Sequence, residues 1–381
     1  MKLLSLEYSE NVGRNQEWRL HRLTLGDKNL IVGRNSTGKT RTLNVLASLA
    51  RALSSPHHIV LTSGMYFCEW RDSNNKSYIY EYMVENGEVV VEKLTIAGAV
   101  LLDRSAGGQG KIFFENINDG EFVRFQTPVN EFAISKKRDA VQHSFIEPLH
   151  QWAAEVRHYL FGSSFGKEHM AVFVPNSPPV DERDSNQTVG LFRNAIRDFG
   201  DQYTESLVED MRFLGFDIET VGLGFPVSVV PELVPPGLNS ILIKEKGVKG
   251  YVDQVTMSQG MYRVLALLIN VNYLLVKKAS TCVIIDDIGE GLDFERSCNL
   301  ITLLRDKADR SDIQIIMSTN DRFVMNEVPL DEWTVLHRRG CEVFVSNYSN
   351  SKEKFDEFRF TGLSNFSFFE MDYLSDRIEE E

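Results

Sequence analysis

The length of 381 residues predicts two to three domains of roughly 150 residues each. The sequence is 43 % hydrophobic and 25 % charged, a composition typical of globular proteins. Its formal charge of −13 is opposite in sign to that of a dedicated nucleic-acid binder. The longest nearly apolar run, 264–276, is too short for a membrane span of about 20 residues, and the first residues do not resemble a signal peptide. The four cysteines form no C-x-x-C pair, which excludes the usual zinc spacings and favours a reducing compartment. We therefore expect a cytoplasmic protein without a membrane partner.

The first third of the chain predicts strands around one helix. Apolar and polar residues alternate up to Val32 with the period of a strand, and after Thr40 the apolar residues take helical spacing up to Leu53. Further on, short alternating runs are separated by Asn-Gly, Gly-Gly and Asp-Gly turn signals, which predict an antiparallel meander. The predicted strands of this meander are 59–62, 78–84, 88–94, 111–114 and 122–125.

The middle third predicts an inserted, mainly helical lid. Two stretches with helical patterns, 142–161 and 188–214, are separated by the proline-rich segment 175–179, and a short hairpin pattern follows over 241–252. We expect three units: an N-terminal lobe over 1–140, the lid over 141–250 and a C-terminal lobe over 251–381.

The final third alternates helices and strands in the order that builds a parallel sheet covered by helices. The predicted elements are a helix over 259–276, a strand over 282–285, a helix over 296–307 and a strand over 313–317. The phenylalanine-rich segment 355–369 alternates partly like an edge strand, although such a stripe is more often part of the core. The acidic end, 376–381, predicts a solvated tail. The fold class predicted for the whole chain is therefore α/β, with a mixed sheet, an N-terminal meander and an inserted lid.

One segment between a predicted strand and a predicted helix, GRNSTGKT at 33–40, fits the phosphate-binding pattern G-x-x-x-x-G-K-[ST]. In such a loop the backbone N–H groups surround phosphate oxygens, the lysine reaches the β- and γ-phosphates, and the hydroxyl binds Mg²⁺. We predict that Lys39 is the catalytic cation and that Thr40 is a metal ligand; a glycine-rich surface turn is the alternative. The predicted nucleotide-binding residues here are Gly33, Arg34, Asn35, Ser36, Thr37, Gly38, Lys39, Thr40 and Arg41.

A second predicted strand ends in two carboxylates, Asp286 and Asp287. A strand that is apolar on both faces belongs in the centre of a parallel sheet, and ligands bind at its carboxyl end. Asp286 is therefore a predicted Mg²⁺ ligand, and Asp287 the group that orients or deprotonates the attacking water. Capping of the following segment is the structural alternative.

A serine, Ser258, precedes the long apolar helix and is a good N-cap residue. The start of this helix, with Gln259 and Gly260, also predicts donors for a phosphate held by another subunit. Its position, shortly before the strand that ends in Asp286, favours this second interpretation.

These motifs together resemble the ABC-type ATPase heads of the RecF/SMC and overcoming-lysogenisation-defect (OLD) class. The segment 33–40 is similar to the Walker A motif of this class, 256–260 to its signature motif, and 286–293 to its Walker B and D-loop block. The segment 318–321, after the last predicted strand of the parallel sheet, is similar to its switch.

The resemblance implies an ATP- and Mg²⁺-dependent ATPase. It implies that Ser258, Gln259, Gly260 and Asp293 contact nucleotide, that Asn320 is the catalytic switch residue, and that Gln142 is a further metal ligand in the Q-loop. Two heads clasp two nucleotides in this class, so an ATP-dependent homodimer is expected.

Two departures from the pattern predict slow hydrolysis. Asp287 stands where the class usually has a glutamate, and its shorter side chain reaches the water poorly. Asn320 stands where the class usually has a histidine, and an amide cannot shuttle a proton. Glu290 is the alternative base. We expect a protein that stays ATP-bound for long periods, as a timer or a clamp.

The resemblance leaves several functions open. The expectation we favour is a stand-alone head, with neither a coiled-coil arm nor a nuclease domain, whose ATP-dependent dimer regulates a separate effector, plausibly a nuclease or toxin in defence against phage. The alternative is a RecF-like clamp for DNA repair or recombination; the basic cluster 136–138 is either a contact for the DNA backbone or a solvated turn. A transporter motor subunit is a third class, which fits the switch residue less well.

Overall fold

A computed structural model describes residues 1–55, 62–115, 120–174 and 178–374. The strands of these residues are, in chain order, β1 (Lys2–Glu10), β2 (Trp18–Thr24), β3 (Lys28–Val32), β4 (Gly64–Arg71), β5 (Ser77–Glu85), β6 (Glu88–Ile96), β7 (Ala99–Ser105), β8 (Gln109–Phe114), β9 (Glu121–Gln126), β10 (Arg157–Leu160), β11 (Ala171–Val172), β12 (Ile218–Gly224), β13 (Leu238–Glu245), β14 (Val252–Asp253), β15 (Cys282–Asp286), β16 (Gln314–Ser318), β17 (Trp333–Arg339) and β18 (Glu342–Asn347). The helices are α1 (Lys39–Ser54), α2 (Ala133–Lys136), α3 (Glu147–Glu155), α4 (Thr188–Phe199), α5 (Asp201–Phe213), α6 (Gln259–Val276), α7 (Phe294–Asp309), α8 (Arg322–Glu327), α9 (Tyr348–Arg359) and α10 (Asn365–Glu370).

One mixed sheet of 14 strands organises the molecule, in the order β10-β15-β16-β3-β17-β18-β2-β1-β4-β5-β6-β7-β8-β9. Strands β10, β15, β16, β3 and β17 pair parallel with one another, β17 pairs antiparallel with β18, and the antiparallel meander consists of β1, β4, β5, β6, β7, β8 and β9. This arrangement is the mixed sheet with an N-terminal meander that the sequence predicts.

The parallel part of the sheet is buried on both faces. Every residue of β15 and β16 is buried, as the apolar composition of their sequences predicts. Helix α1 packs in one apolar cluster with the meander, whereas α6 and α7 pack in a second cluster on the other face of the parallel strands. The carboxyl ends of these strands are thus held by helices on both sides.

The middle of the chain contributes one strand, β10, to the large sheet. Strand β10 pairs parallel with β15, and α3 packs on α1, while α4 and α5 pack on α6. Strands β11 to β14 form a separate small sheet. The boundaries of the three predicted units stay a prediction.

The structure corrects several predicted elements. The helix predicted over 142–161 ends at Glu155 and is followed by β10, because the chain there enters the sheet beside β15. Strands β4, β7, β11, β12, β17 and β18 are absent from the predicted elements. The predicted strand 59–62 lies almost wholly outside the described residues, and the acidic tail 376–381 lies wholly outside them. An edge strand in the phenylalanine-rich segment is wrong: the segment forms α9 and α10, which bury Phe355, Phe358 and Phe368 in the core.

Helix α6 is the one described helix that is long and apolar enough, by length and composition, to cross a membrane. Twelve of its residues, from Tyr262 to Leu274, are buried within the protein. An all-round apolar surface is expected of a helix at the centre of a globular core.

Candidate functional site

The predicted site residues follow three neighbouring parallel strands. The loop 33–38 follows β3, the segment 287–293 follows β15, and 319–321 follows β16. Since the carboxyl ends of parallel strands meet at one edge of the sheet, these three segments lie side by side. A fourth segment, 161–169, follows β10 at the same edge, and the Phe161 amide donates to the Asp286 carbonyl (3.0 Å).

The loop before α1 holds the side chain of Lys39 inside it. The ammonium donates to the carbonyls of Gly33 (2.7 Å) and Arg34 (3.4 Å), and only 7 % of the residue is exposed. Burial lowers the pKa of Lys39, and the carboxylates of Asp287 and Asp286 oppose this shift. The cation therefore lies within the field of both acids, at the position where a phosphate would enter.

Two glycines allow this loop to close. Gly38 has a φ of 105°, in the left-handed region, and a side chain there would contact Trp18. A Cβ atom on Gly33 would lie 2.5 Å from the hydroxyl of Thr37, which itself donates to the Arg34 carbonyl (2.9 Å). The glycines of the motif are thus required by close packing as well as by backbone conformation.

The other predicted residues of the loop lie at its surface. Asn35, Ser36 and Thr40 are exposed, and the Ser36 carbonyl accepts a hydrogen bond from Arg338. Arg34 is 70 % exposed at its side chain and lies 3.4 Å from a carboxylate oxygen of Asp372. These groups are accessible to a ligand.

Arg41, in the first turn of α1, is held by two contacts. Its guanidinium lies 4.6 Å from the ring centre of Trp18 and forms an ion pair with Glu10. A nucleotide role for Arg41 stays a prediction.

The two acids after β15 are oriented by Ser318 at the end of β16. The Ser318 hydroxyl donates to a carboxylate oxygen of Asp286 and accepts from the Asp287 amide (3.0 Å). Asp286 is only 4 % exposed and Ser318 is fully buried. One hydroxyl therefore fixes the carboxylate of the first acid and the backbone of the second.

Asp287 lies at the open side of this pair. Its carboxylate accepts from the amide of Asn320 (3.2 Å), and its φ of 53° is a left-handed conformation that aspartate tolerates better than most residues. Burial, reinforced by the neighbouring charges of Asp286 and Glu290, raises the pKa of Asp287, against the opposing effect of Lys39. A carboxylate with a raised pKa is a better proton acceptor than an ordinary aspartate.

Thr40 and Asp286 offer the hydroxyl and carboxylate oxygens that Mg²⁺ prefers, so the residues present fit this metal. The described residues contain no cluster of three or more His, Cys, Asp and Glu side chains that could hold a metal ion. A Mg²⁺ ion held by Thr40 and Asp286 would take its remaining ligands from substrate phosphates and water, as is usual for this metal.

Gln142 does not lie with Thr40 and Asp286. Its carbonyl accepts a hydrogen bond from the amide of Glu115 (3.1 Å), which directly follows β8. Strand β8 is next to the last strand of the large sheet, at the end opposite to β15. The segment that does reach Asp286 is the one after β10.

The signature residues form a second cluster, around the start of α6. Ser258 caps the helix by accepting from the Met261 amide (3.2 Å), as the N-cap interpretation of its sequence predicts. A Cβ atom on Gly260 would lie 3.1 Å from a methyl group of Leu292, so the signature and the D-loop are in contact. Asp293 caps α7, and the hydrogen bond from the Arg296 backbone, with help from the Arg296 side chain, lowers the pKa of Asp293.

Arg263, one turn beyond the signature, joins this cluster to the edge of the sheet. It donates to the carbonyls of Gly162, Ser163 (2.7 Å) and Glu290 (3.2 Å). Lys167, further along the segment after β10, donates to the Met257 carbonyl (2.6 Å). The segment 161–169 therefore bridges the Asp286 edge and the signature.

Sequence reasoning missed this bridge. The signal available was the change from the apolar residues 159–161 to Gly162, Ser163 and Ser164, which is typical of a strand that ends in a turn.

No family model and no curated protein matches the chain. A crystal structure of an Smc head bound to the C-winged helix domain of ScpA is similar to it, with a TM-score of 0.55 and 12 % identity over 91 % of this chain and 97 % of that one. The Smc head domain with an extended coiled coil bound to the C-terminal domain of ScpA, derived from Pyrococcus furiosus, gives 0.52 and 12 % over 94 % and 99 %. The fold is that of an SMC head. An SMC head domain from Thermotoga maritima, with 11 % identity over 91 % of this chain and 99 % of that one, has a lower TM-score of 0.45.

The predicted fold class, that of an ABC-type ATPase head, is thereby confirmed. At these identities the SMC head likeness concerns the fold, while the roles of individual residues rest on their geometry.

The basic cluster 136–138 is largely neutralised in this SMC-head fold. Lys136 lies 2.8 Å from Glu131, and Arg138 makes a bidentate contact with Glu147 (2.7 and 2.8 Å). The ammonium of Lys137 lies over the ring of Phe125. These contacts favour the solvated turn over a contact for the DNA backbone.

Proposed function

We propose that this protein is an ATPase that binds Mg²⁺ and ATP between two copies of itself and hydrolyses the nucleotide slowly. The observation that carries the proposal is the buried ammonium of Lys39, enclosed by loop carbonyls and within the field of Asp286 and Asp287. Burial has already removed water from this ammonium, so a polyphosphate that enters the loop gains a stronger electrostatic interaction than it would with an exposed lysine.

The residues at the carboxyl ends of the parallel strands have different functions in this proposal. Lys39 exchanges the loop carbonyls for the β- and γ-phosphates, and Thr40 and Asp286 hold the metal, which supplies charge neutralisation to the phosphates. Asp287 orients the attacking water and accepts its proton, and Asn320 donates a hydrogen bond to Asp287 or to the γ-phosphate.

Slow turnover follows from Asp287 and Asn320. The Asp287 carboxylate is one methylene shorter than a glutamate and is held by Asn320, whose amide cannot relay a proton. We expect a kcat below ~10 s⁻¹, the median for enzymes. Glu290, which is exposed beside this edge, is the alternative base, and separate Asp287→Asn and Glu290→Gln variants distinguish the two.

The homodimer is supported by the position of the signature. Ser258 lies at the start of α6, whereas the phosphate loop lies at the start of α1, on the opposite face of the parallel strands. Each Ser258 therefore completes the nucleotide site of the second copy rather than its own. The helix start adds N–H donors and a partial positive charge there.

A mixing experiment tests this composite site. Lys39→Ala removes the phosphate cation and Ser258→Arg blocks the signature, so each variant alone should be inactive. An equal mixture should recover about a quarter of the wild-type sites by random pairing of the two variants. Failure of the mixture to regain activity, although each variant folds and the Ser258→Arg protein binds ATP, would contradict the composite site.

We further propose that the ATP-dependent dimer regulates a separate effector protein, with defence against phage as the setting that the resemblance favours. The Smc heads of similar fold were solved with domains of a separate protein, ScpA. Purification together with the products of neighbouring genes, with and without ATP and Mg²⁺, should yield an ATP-dependent complex. ATP-dependent, salt-sensitive DNA capture without any partner would instead favour the RecF-like clamp.

A further inference from the structure

The large sheet ends in an exposed strand, β9. Five of its six residues are exposed, among them Phe122 (46 %) and Val123 (38 %). In the described part of the chain β9 pairs with β8 alone, so its outer edge has no neighbouring strand. Such edges are usually protected by proline, a bulge or charged side chains; the sequence EFVRFQ has neither a proline nor a bulge, and its two charges, Glu121 and Arg124, are of opposite sign.

We propose that β9 pairs antiparallel with β9 of a second copy, which joins the two large sheets into one. This interface is independent of nucleotide and distinct from the ATP-dependent contact proposed above. Homodimers with twofold symmetry are the commonest assemblies, and a twofold axis perpendicular to the sheet makes two identical edges complementary.

The backbone of β9 determines which groups are offered. The Thr127 amide donates inward to the Gly108 carbonyl (2.9 Å), beside the first pair of the β8–β9 ladder. Because the direction of N–H and C=O groups alternates along a strand, those of Phe122, Arg124 and Gln126 point outward. A second strand can exchange hydrogen bonds with them.

The side chains select one register. Of the two registers nearest the middle of β9, the one centred on Arg124 would place two guanidinium groups opposite each other, which is unfavourable. The register centred on Val123 pairs Phe122 with Arg124 of the partner subunit, and it makes this pair the one that exchanges backbone hydrogen bonds. An arginine beside an aromatic ring adds a cation–π contact.

The two faces of the joined sheet are both complementary in this register. On the inner face, Val123 lies opposite the buried Ile112 and would contact Val123 of the partner subunit, which continues the apolar core. On the same face Glu121 of the partner subunit would oppose Phe125, whose ring has the ammonium of Lys137 at 5.4 Å. An acid of one copy thus meets a base of the other.

The outer face already holds its aromatic ring in place. Phe122 packs on Phe113 with ring centres 5.5 Å apart, and Lys111 lies 5.8 Å from the ring of Phe122. Asp103 lies 3.6 Å from Lys111 and compensates its charge, so an incoming arginine meets a neutral pair. The ring therefore need not reorganise when a second strand arrives.

The test is the mass of the protein in solution without nucleotide, with EDTA present. The wild-type protein should have twice the mass of one chain, and Val123→Glu should return it to one chain, since two carboxylates would then face each other on the axis. Val248→Glu is the control, because Val248 has a similar exposure (43 %) in the loop between β13 and β14, and it should leave the dimer intact. Lys39→Ala should also leave it intact, which separates this interface from the proposed ATPase.

A cross-link keeps the test decisive if Val123→Glu does not fold. Directly opposed residues have Cβ atoms about 4.5–5.5 Å apart, so Val123→Cys should give a disulfide-linked dimer under mild oxidation, whereas Val248→Cys and the wild-type protein should not. A nucleotide-free protein that is monomeric would overturn the proposal, and so would a dimer that Val123→Glu leaves unchanged. Strong protection of the Phe122 and Arg124 amides in a monomer would mean that another segment covers the edge, and this result would overturn the proposal as well.

Discussion

Ser318→Ala tests whether one buried hydroxyl holds the two acids of the site. Ser318 is fully buried, and its hydroxyl donates to Asp286 and accepts from the Asp287 amide. A hydrogen bond to a charged group contributes about 1.5–3 kcal/mol, and the unsatisfied amide adds about 1 kcal/mol. We therefore expect Ser318→Ala to lower the free energy of unfolding by about 2.5–4 kcal/mol, and to lower kcat because the Asp286 carboxylate loses the group that orients it.

The measurement is denaturant unfolding, with Ser297→Ala as the matched control. Ser297 is equally buried, but its hydroxyl donates only to the neutral Gly289 carbonyl at 3.4 Å, so its loss should cost about 1 kcal/mol or less. The cost of Ser318→Ala should also shrink when Asp286 is already replaced by asparagine, since the two side chains interact directly. Equal costs for the two serines, or the same cost of Ser318→Ala in both Asp286 backgrounds, would refute the argument.

Three further perturbations follow from the described contacts. Asp287→Asn should raise the melting temperature while abolishing turnover. The raised pKa of Asp287 means that its ionised form destabilises the fold, so the variant should become increasingly more stable than the wild-type protein as pH rises through that pKa. A difference in stability between the two proteins that does not depend on pH would contradict this. Arg263→Ala should lower dimer ATPase activity with little change in nucleotide affinity, because it frees loop carbonyls without touching the phosphate loop, and a large loss of affinity would argue against that division. Glu92→Ala should cost about 3–5 kcal/mol in denaturant unfolding, because it leaves the buried Arg104 charge with backbone carbonyls but without its carboxylate, while a change below about 1 kcal/mol would mean that water or another acid replaces Glu92.

Much of the parallel sheet could be predicted because its signals are local. Helix α6 has the predicted bounds, 259–276, since Ser258 caps it and apolar residues continue to its end. The phosphate loop is equally local, because two glycines, a lysine and a hydroxyl within eight residues carry both its conformation and its chemistry.

The elements that sequence reasoning missed depend on distant partners. Strand β10 has four residues and follows directly on a helix, and only the neighbouring β15 makes it a strand. The start of a helical pattern near Gln142 suggests a position beside Asp286, whereas the chain reaches Asp286 only after β10, where the Phe161 amide donates to the Asp286 carbonyl. The same reason hides Arg263, since neither Gly162 nor Ser163 is near it in sequence.

The two clusters of the site are linked within one chain although each is expected to serve a different nucleotide. Gly162 lies under the Glu290 carboxylate, so closely that a Cβ atom there would be 2.2 Å from it, and the Gly162 carbonyl is bonded to Arg263 beyond the signature. Arg263 also donates to the Glu290 carbonyl, so a shift of the Glu290 backbone on nucleotide binding would change the contacts of Arg263. In a head dimer this would carry the state of one nucleotide site to the signature that closes the other, so the two sites of such a dimer should not act independently.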